Sequence, residues 1–161
     1  MSSVFHNNQW NMLSSITYDS NGNKIKEVDS NGHSIRYQYD SKDRLVLKDY
    51  YEKDSVLKGS TKIQYETGLD RNAPLTVTIT DEEGYPKKFH YDILDRLVRT
   101  EFTSDRVNFI ENTYTYDYVG NKIAFTDGRN HSTQYEYDDL GRLVKQIDAL
   151  GNETHYEYNS L

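Results

Sequence analysis

A Tyr-Asp dipeptide returns at a near-fixed interval through this chain, and that interval constrains the fold more than any other feature. It stands at Tyr18-Asp19, Tyr39-Asp40, Tyr91-Asp92, Tyr116-Asp117 and Tyr137-Asp138, with diverged copies at Tyr65-Glu66 and Tyr158-Asn159. The steps between these tyrosines are 21, 26, 26, 25, 21 and 21 residues. A 21-residue unit therefore occurs three times, and three units carry four or five extra residues. Such self-similarity marks repeat architectures, in which one supersecondary unit buries its face only against the next.

Within a regular unit the order is fixed, and each holds two Asp-x-x-Gly turns. The first unit has Asp19 to Gly22 and Asp29 to Gly32. The fifth has Asp117 to Gly120, then Asp127 to Asn130. The last full unit has Asp138 to Gly141 and Asp148 to Gly151. An aspartate opening a type I turn can accept a hydrogen bond from the backbone two residues on, and the glycine supplies a positive φ. Asp43, Asp95 and Asn130 fill the glycine slot elsewhere. These are the residue types that best tolerate the left-handed region after glycine. The unit at Tyr65 departs from the pattern, with Gly68 one place early and Leu69 in the slot.

The segments between turns are short, alternate with period two and are rich in Thr, Val, Ile, Tyr and Phe, which is the signature of strands. Tyr135, Tyr137, Leu143 and Ile147 are expected on one face, and Thr154, Tyr156 and Tyr158 alternate with His155 and Glu157. The predicted fold is all-β: tandem antiparallel β-hairpin repeats forming a curved continuous sheet, part of a spiral or shell. Residues 1–17 read as a lead-in strand, and 18–161 as an array of about six hairpins, or roughly a dozen strands. The extra residues are expected in hairpin tips, because loop-closure entropy grows slowly with length. On that reading Asp49 to Thr61 and Phe102 to Thr113 extend second turns, the latter with Ser104-Asp105-Arg106 at its tip. Thr67 to Pro74 lengthens a first turn.

Composition narrows the class. Only 35% of residues are hydrophobic and mean hydropathy is -0.92, which alone suggests disorder, but 15 tyrosines help to make the chain 13% aromatic. A folded sheet built from amphipathic rings fits both facts. A net charge of -7 argues against nucleic acid as a partner. The absence of cysteine excludes disulfides and thiolate-bound metals. No apolar run approaches the ~18 residues of a membrane span, and Met1 to Leu13 lacks the pattern of a secretory signal. Asn159-Ser160-Leu161 stops where another unit would begin, so the chain reads as an excerpt of a longer protein.

The motif Tyr-Asp-x-x-Gly-Arg-Leu, with a second Asp-x-x-Gly eleven residues after the tyrosine, resembles the RHS/YD-repeat family. The likeness runs from Tyr18 to Asn159 and is most specific at Tyr137 to Tyr158. It implies a hairpin repeat winding into a hollow shell or spiral. Family members include toxin complexes, polymorphic toxins, wall-associated proteins and teneurins. There the shell encloses a toxin segment or presents an adhesive surface. It also implies a secreted or cell-surface location within a larger bacterial protein. Arg44, Arg96 and Arg142 match the family arginine, whereas Asn23 and Asn121 replace it. No segment resembling the family's self-cleaving aspartate core follows Tyr158, so no protease activity is carried over.

No catalytic residue, cofactor or metal is assigned from the sequence. The turn aspartates Asp19, Asp29, Asp40, Asp81, Asp92, Asp117, Asp127, Asp138 and Asp148 sit singly, whereas calcium needs six to eight converging oxygens. Their expected role is turn capping. His155 with Glu157 and His90 with Asp92 offer two ligands each, short of the three or four that zinc requires. His33 and His131 stand near second turns. The pairs Tyr37/Tyr39, Tyr135/Tyr137 and Tyr156/Tyr158 lie at i, i+2. They are read as cross-strand packing, with a carbohydrate-stacking stripe as the alternative. Expected partners are neighbouring repeats of a parent chain, a second copy through exposed edge strands, and a glycan on the alternative reading.

Overall fold

The computed structural model describes residues 3–6, 9–67, 75–104 and 107–159. Over these the chain is all-β, with fourteen strands in open antiparallel meanders, a single 3-10 turn at Lys53–Ser55 and no α-helix. Among the described residues no helix is long and apolar enough to cross a membrane. The chain divides into two units: Met1–Gln64 with Thr78–Pro86, and Tyr65–Val77 with Lys87–Leu161.

The first unit contains β1 (Ser3–His6), β2 (Gln9–Tyr18), β3 (Lys24–Asp29), β4 (Ser34–Tyr39), β5 (Leu45–Tyr51) and most of β6 (Leu57–Thr67). Each pairs antiparallel with the next along the chain. The lead-in thus holds two strands rather than one, with His6 opposite Gln9. β7 (Leu75–Thr80) and β8 (Pro86–Tyr91) contribute residues to both units. The second unit continues with β9 (Leu97–Ser104), β10 (Val107–Tyr116), β11 (Lys122–Asp127), β12 (Ser132–Tyr137), β13 (Leu143–Ile147) and β14 (Glu153–His155), again paired in chain order.

The tyrosine of each Tyr-Asp pair sits at a register shift. Tyr18 lies opposite Lys24, Tyr39 opposite Leu45, Tyr91 opposite Leu97, Tyr116 opposite Lys122 and Tyr137 opposite Leu143. In every case one β-branched residue (Ile25, Val46, Val98, Ile123 or Val144) is left without a partner across the hairpin. A bulge of this kind adds one residue to one strand and sharpens the local twist. It also changes which side chains share a face. Tyr135 faces Gln146, and Ile147 stands opposite Gln134, so Ile147 does not join the tyrosine face that strict alternation assigns to it. β14 ends at His155, so Tyr156 and Tyr158 follow the strand rather than lying within it.

The longer units absorb their extra residues as strand. β5 runs through to Tyr51 and β6 starts at Leu57, with Asp49 opposite Ser60. The expected long turn from Asp49 to Thr61 contracts to Glu52 through Val56. There the Glu52 N–H donates to Val56 O at 2.8 Å, and Ser55 takes φ 66°. Likewise β9 and β10 pair from Arg99 with Thr113 out to Ser104 with Val107, and Phe102 stacks on Phe109 at 5.2 Å. Ladder hydrogen bonds and ring contacts reward extension where a loop would offer neither. The expected tip residues Asp105 and Arg106, and the insertion from Gly68 to Pro74, lie outside the described residues.

Among the described residues no apolar side chain is buried, and the three buried residues are Glu27, Thr78 and Thr100. Over these residues the sheet is therefore not assembled around an oily core. In β4 and β12 the tyrosines are half-buried, while Arg36, Gln38, Gln134 and Glu136 are exposed. Close backbone approach matters at Gly128. A Cβ there would come within 2.7 Å of the Ile110 carbonyl oxygen, so the turn Asp127 to Asn130 lies flush against β10. At Gly59 in the first unit the neighbour is a side chain, and a Cβ there would come within 3.0 Å of Glu82 Cβ.

Candidate functional site: the clasped turns

The structure repeats one local device. In the turn after Tyr137, the Asp138 N–H donates to Arg142 O at 2.9 Å, and the Gly141 N–H donates to Asp138 O at 2.9 Å. Asp138 Oδ1 accepts the backbone N–H of Leu140 and of Arg142, and Oδ2 accepts Arg142 Nε at 2.7 Å. One carboxylate thus closes both backbone ends of the turn and grips the side chain that leaves it. Asp40 with Arg44 and Asp92 with Arg96 repeat this geometry. Gly22, Gly32, Gly120, Gly141 and Gly151 all take positive φ, as do Asp43, Asp95 and Asn130 in the same slot.

Where the arginine is missing, another N–H donor replaces it. Asn23 donates to Asp19, Asn121 to Asp117 and Asn152 to Asp148, at 3.1, 2.9 and 2.8 Å. His33 Nδ1 meets Asp29 at 2.9 Å, and His131 Nδ1 meets Asp127 at 3.2 Å. The residue four places after the aspartate is thus Asn, His or Arg in eight turns. That signal is present in the sequence, and turn chemistry centred on Asp and Gly overlooks it. The departures are Val56 and Tyr85, after Glu52 and Asp81.

The same side chains reach onward. Asn21 and Asn23 both donate to Asp43 Oδ1, at 2.9 and 2.8 Å, tying the first turn of one repeat to that of the next. Arg96 donates from Nη1 to Asp117 O at 2.9 Å and lies over the Tyr116 ring at 4.9 Å. Arg142 covers Tyr158 at 4.7 Å. The hydroxyls of Tyr39, Tyr116, Tyr137 and Tyr158 donate to Lys24 O, Leu97 O, Lys122 O and Leu143 O, at 2.9, 2.9, 3.0 and 2.8 Å. Each carbonyl belongs to the residue just before the bulge, so the tyrosine of one repeat caps the distortion left by the repeat before it.

These bonds stabilise the ionised carboxylates. The Arg44 guanidinium holds Asp40 down to about 2. Arg96 lowers Asp92, the backbone and side chain of Arg142 lower Asp138, and Asn152 lowers Asp148. A carboxyl lowered by folding adds stability that is complete above its ordinary value of 3.8 and is lost as pH falls through the folded value. Resistance to urea is therefore expected to be flat from neutrality to about pH 4 and to fall between about pH 4 and about pH 2. Tyrosine fluorescence in urea titrations at stepped pH measures this. A Asp40→Asn/Asp92→Asn variant should show a shallower fall, and equal slopes would refute the assignment.

The remaining sequence candidates are placed apart. His155 Nε2 meets Glu153, not Glu157, at 3.1 Å, and Lys145 binds the same carboxylate at 2.7 Å. His90 lies 3.2 Å from Thr76 and 3.3 Å from Glu101 rather than pairing with Asp92. Among the described residues no three His, Asp or Glu side chains converge as metal ligands. Tyr37 donates to Glu27 and lies under Lys24, and Tyr135 lies under Lys122 at 4.9 Å.

Comparison of the sequence with known families agrees with this repeat. The RHS repeat family matches residues 18–49, 116–153 and 137–161. No curated protein matches the chain. Solved structures to which the chain is similar include TcdB2-TccC3-TEV and TcdB2-TccC3-Cdc42, each at 14% identity and TM-score 0.46, covering 89% of this chain and 11% of theirs. A third is the Photorhabdus luminescens Tc holotoxin pore, at 16% identity and TM-score 0.45, covering 89% and 10%. The chain thus spans about a tenth of the length of these structures. The chain carries RHS repeats over the matched segments, and the same clasped turn recurs between them, at Asp92.

Proposed function

We propose that this chain is a non-catalytic segment of a larger RHS/YD-repeat shell wall, one that encloses a toxin or displays it at the bacterial cell surface. The carrying observation is that the recurrent polar groups are consumed in holding repeats together. The turn carboxylates are clasped, and four of the Tyr-Asp-register tyrosine hydroxyls are bonded to backbone carbonyls. Groups committed in this way are poor candidates for attacking or protonating a substrate. Residues 1–17 serve as the lead-in and 18–161 as the wall, with neighbouring repeats of the parent chain as its partners.

The test uses the parent polypeptide. Deleting residues 18–159 should expose an enclosed segment to added protease, whereas the intact protein should protect it. Equal digestion of both would overturn the proposal. The carbohydrate reading has weaker support, because Lys24, Lys122 and Arg142 lie over the rings of Tyr37, Tyr135 and Tyr158 that a sugar would stack on.

A further inference from the structure

In the second unit, the turns that follow Tyr91, Tyr116 and Tyr137 all lie on one long edge of the sheet, because antiparallel connections alternate between the two edges. Their tips are exposed and carry large apolar side chains: Ile93 and Leu94, then Tyr118 and Val119, then Leu140 beside the exposed Asp139. Exposure reaches 95% at Tyr118 and 77% at Leu140. The turn does not require such residues. Its clasp uses the aspartate, the residue at positive φ and the donor four places on. The equivalent tips in the first unit are Ser20-Asn21 and Ser41-Lys42. Three consecutive tips with large exposed apolar side chains on a charged, hydrophilic chain therefore need an explanation outside the turn itself.

We infer that this row of turn tips is a self-docking surface, which pairs with the same row of a second copy of this chain. Turns on one edge recur every second strand, about 9.5 Å apart. An edge of identical spacing meets the row tip by tip, and a second copy has that spacing by construction. The row is also arranged for two-fold pairing. The turn with the most exposed side chain is central, and a turn bearing an exposed leucine flanks it on each side. An antiparallel match sets Tyr118 against Tyr118 and Leu94 against Leu140, as an isologous contact requires. Five large side chains at this exposure offer on the order of 600 Å² per copy, close to the ~800 Å² per partner of a stable interface. This surface is distinct from the unpaired strands at the sheet ends, and its failure would leave the shell proposal untouched.

The test is sedimentation equilibrium on the full chain across micromolar concentrations. The wild type should form a dimer. A Leu94→Asn/Tyr118→Ser/Leu140→Lys variant takes the residues that this chain itself uses at the matching positions of the first unit. It should keep the circular dichroism spectrum and weaken the dimer at least tenfold. Leu150→Asn, at an exposed tip on the opposite edge, should leave dimerisation unchanged. A wild type that stays monomeric throughout, or a triple variant that associates like the wild type through its end strands, would overturn the inference.

Discussion

Replacing Glu27 by alanine is expected to destabilise the chain by about 3 kcal/mol, the low end for breaking a buried charged pair. Glu27 is 6% exposed, and both of its oxygens are engaged. Lys24 Nζ meets Oε2 at 2.6 Å, and the Tyr37 hydroxyl donates to Oε1 at 2.6 Å. Burial and this bond to a carboxylate push the Tyr37 hydroxyl well above its ordinary range, so it stays a donor. Alanine leaves that hydroxyl without its acceptor and the ammonium over the ring without its counterion. Part of Lys24 reaches water, which sets the cost at the low end. Glu27→Gln keeps an acceptor for Tyr37 and should cost only about 1 kcal/mol. Urea unfolding followed by circular dichroism measures both. The decisive variant is Glu27→Ala/Tyr37→Phe. With the stranded hydroxyl removed, it should be no less stable than Glu27→Ala alone, and additive losses would refute the account.

The position of Glu27 shows where the sequence was readable and where it was not. Strand and turn order could be read because the Tyr-Asp interval, the Asp-x-x-Gly turns and the alternation agree. The left-handed slot declares itself through Asp43, Asp95 and Asn130, which substitute for glycine on backbone grounds. Glu27 gave no such signal, because its burial depends on Lys24 and Tyr37 arriving from its own strand and the next. Strict alternation also failed at the bulges. A single residue such as Val144 drops out of register and carries Ile147 to the other face, and nothing in a period-two pattern announces it. The long hairpins were misread because extra residues were assigned to loops, whereas Phe102 and Phe109 gain more by stacking across paired strands. The exchange of Arg96 for Asn at equivalent positions resembles loss of a motif in the sequence. The structure shows two grades of one clasp, since Asn121 grips Asp117 as Arg96 grips Asp92, and only the arginine also covers a ring.

That difference in grade makes Tyr116 the most informative ring to remove. Its hydroxyl donates to Leu97 O beside a bulge, Arg96 lies over its face, and Arg96 Nη1 holds the carbonyl of the adjoining Asp117. Tyr116→Ala deletes the cap, the ring contact and the packing of a half-buried aromatic. The expected loss is about 3 kcal/mol, the low end for emptying an aromatic site, because the ring is only half-buried and no apolar side chain among the described residues is fully buried. Tyr116→Phe removes the hydroxyl alone and should cost about 1 kcal/mol. Arg96→Asn should preserve the clasp on Asp92 and lose both the cation over the ring and the bond to Asp117 O, about 1–2 kcal/mol. Nearest-neighbour coupling then predicts where the damage appears. Hydrogen exchange in Tyr116→Ala should accelerate first in β9, β10 and β11, while amides of β3 and β4 keep wild-type rates. Uniform acceleration along the whole chain would mean that the repeats unfold as one block, and the tyrosine could then not be acting as a joint between adjacent rungs.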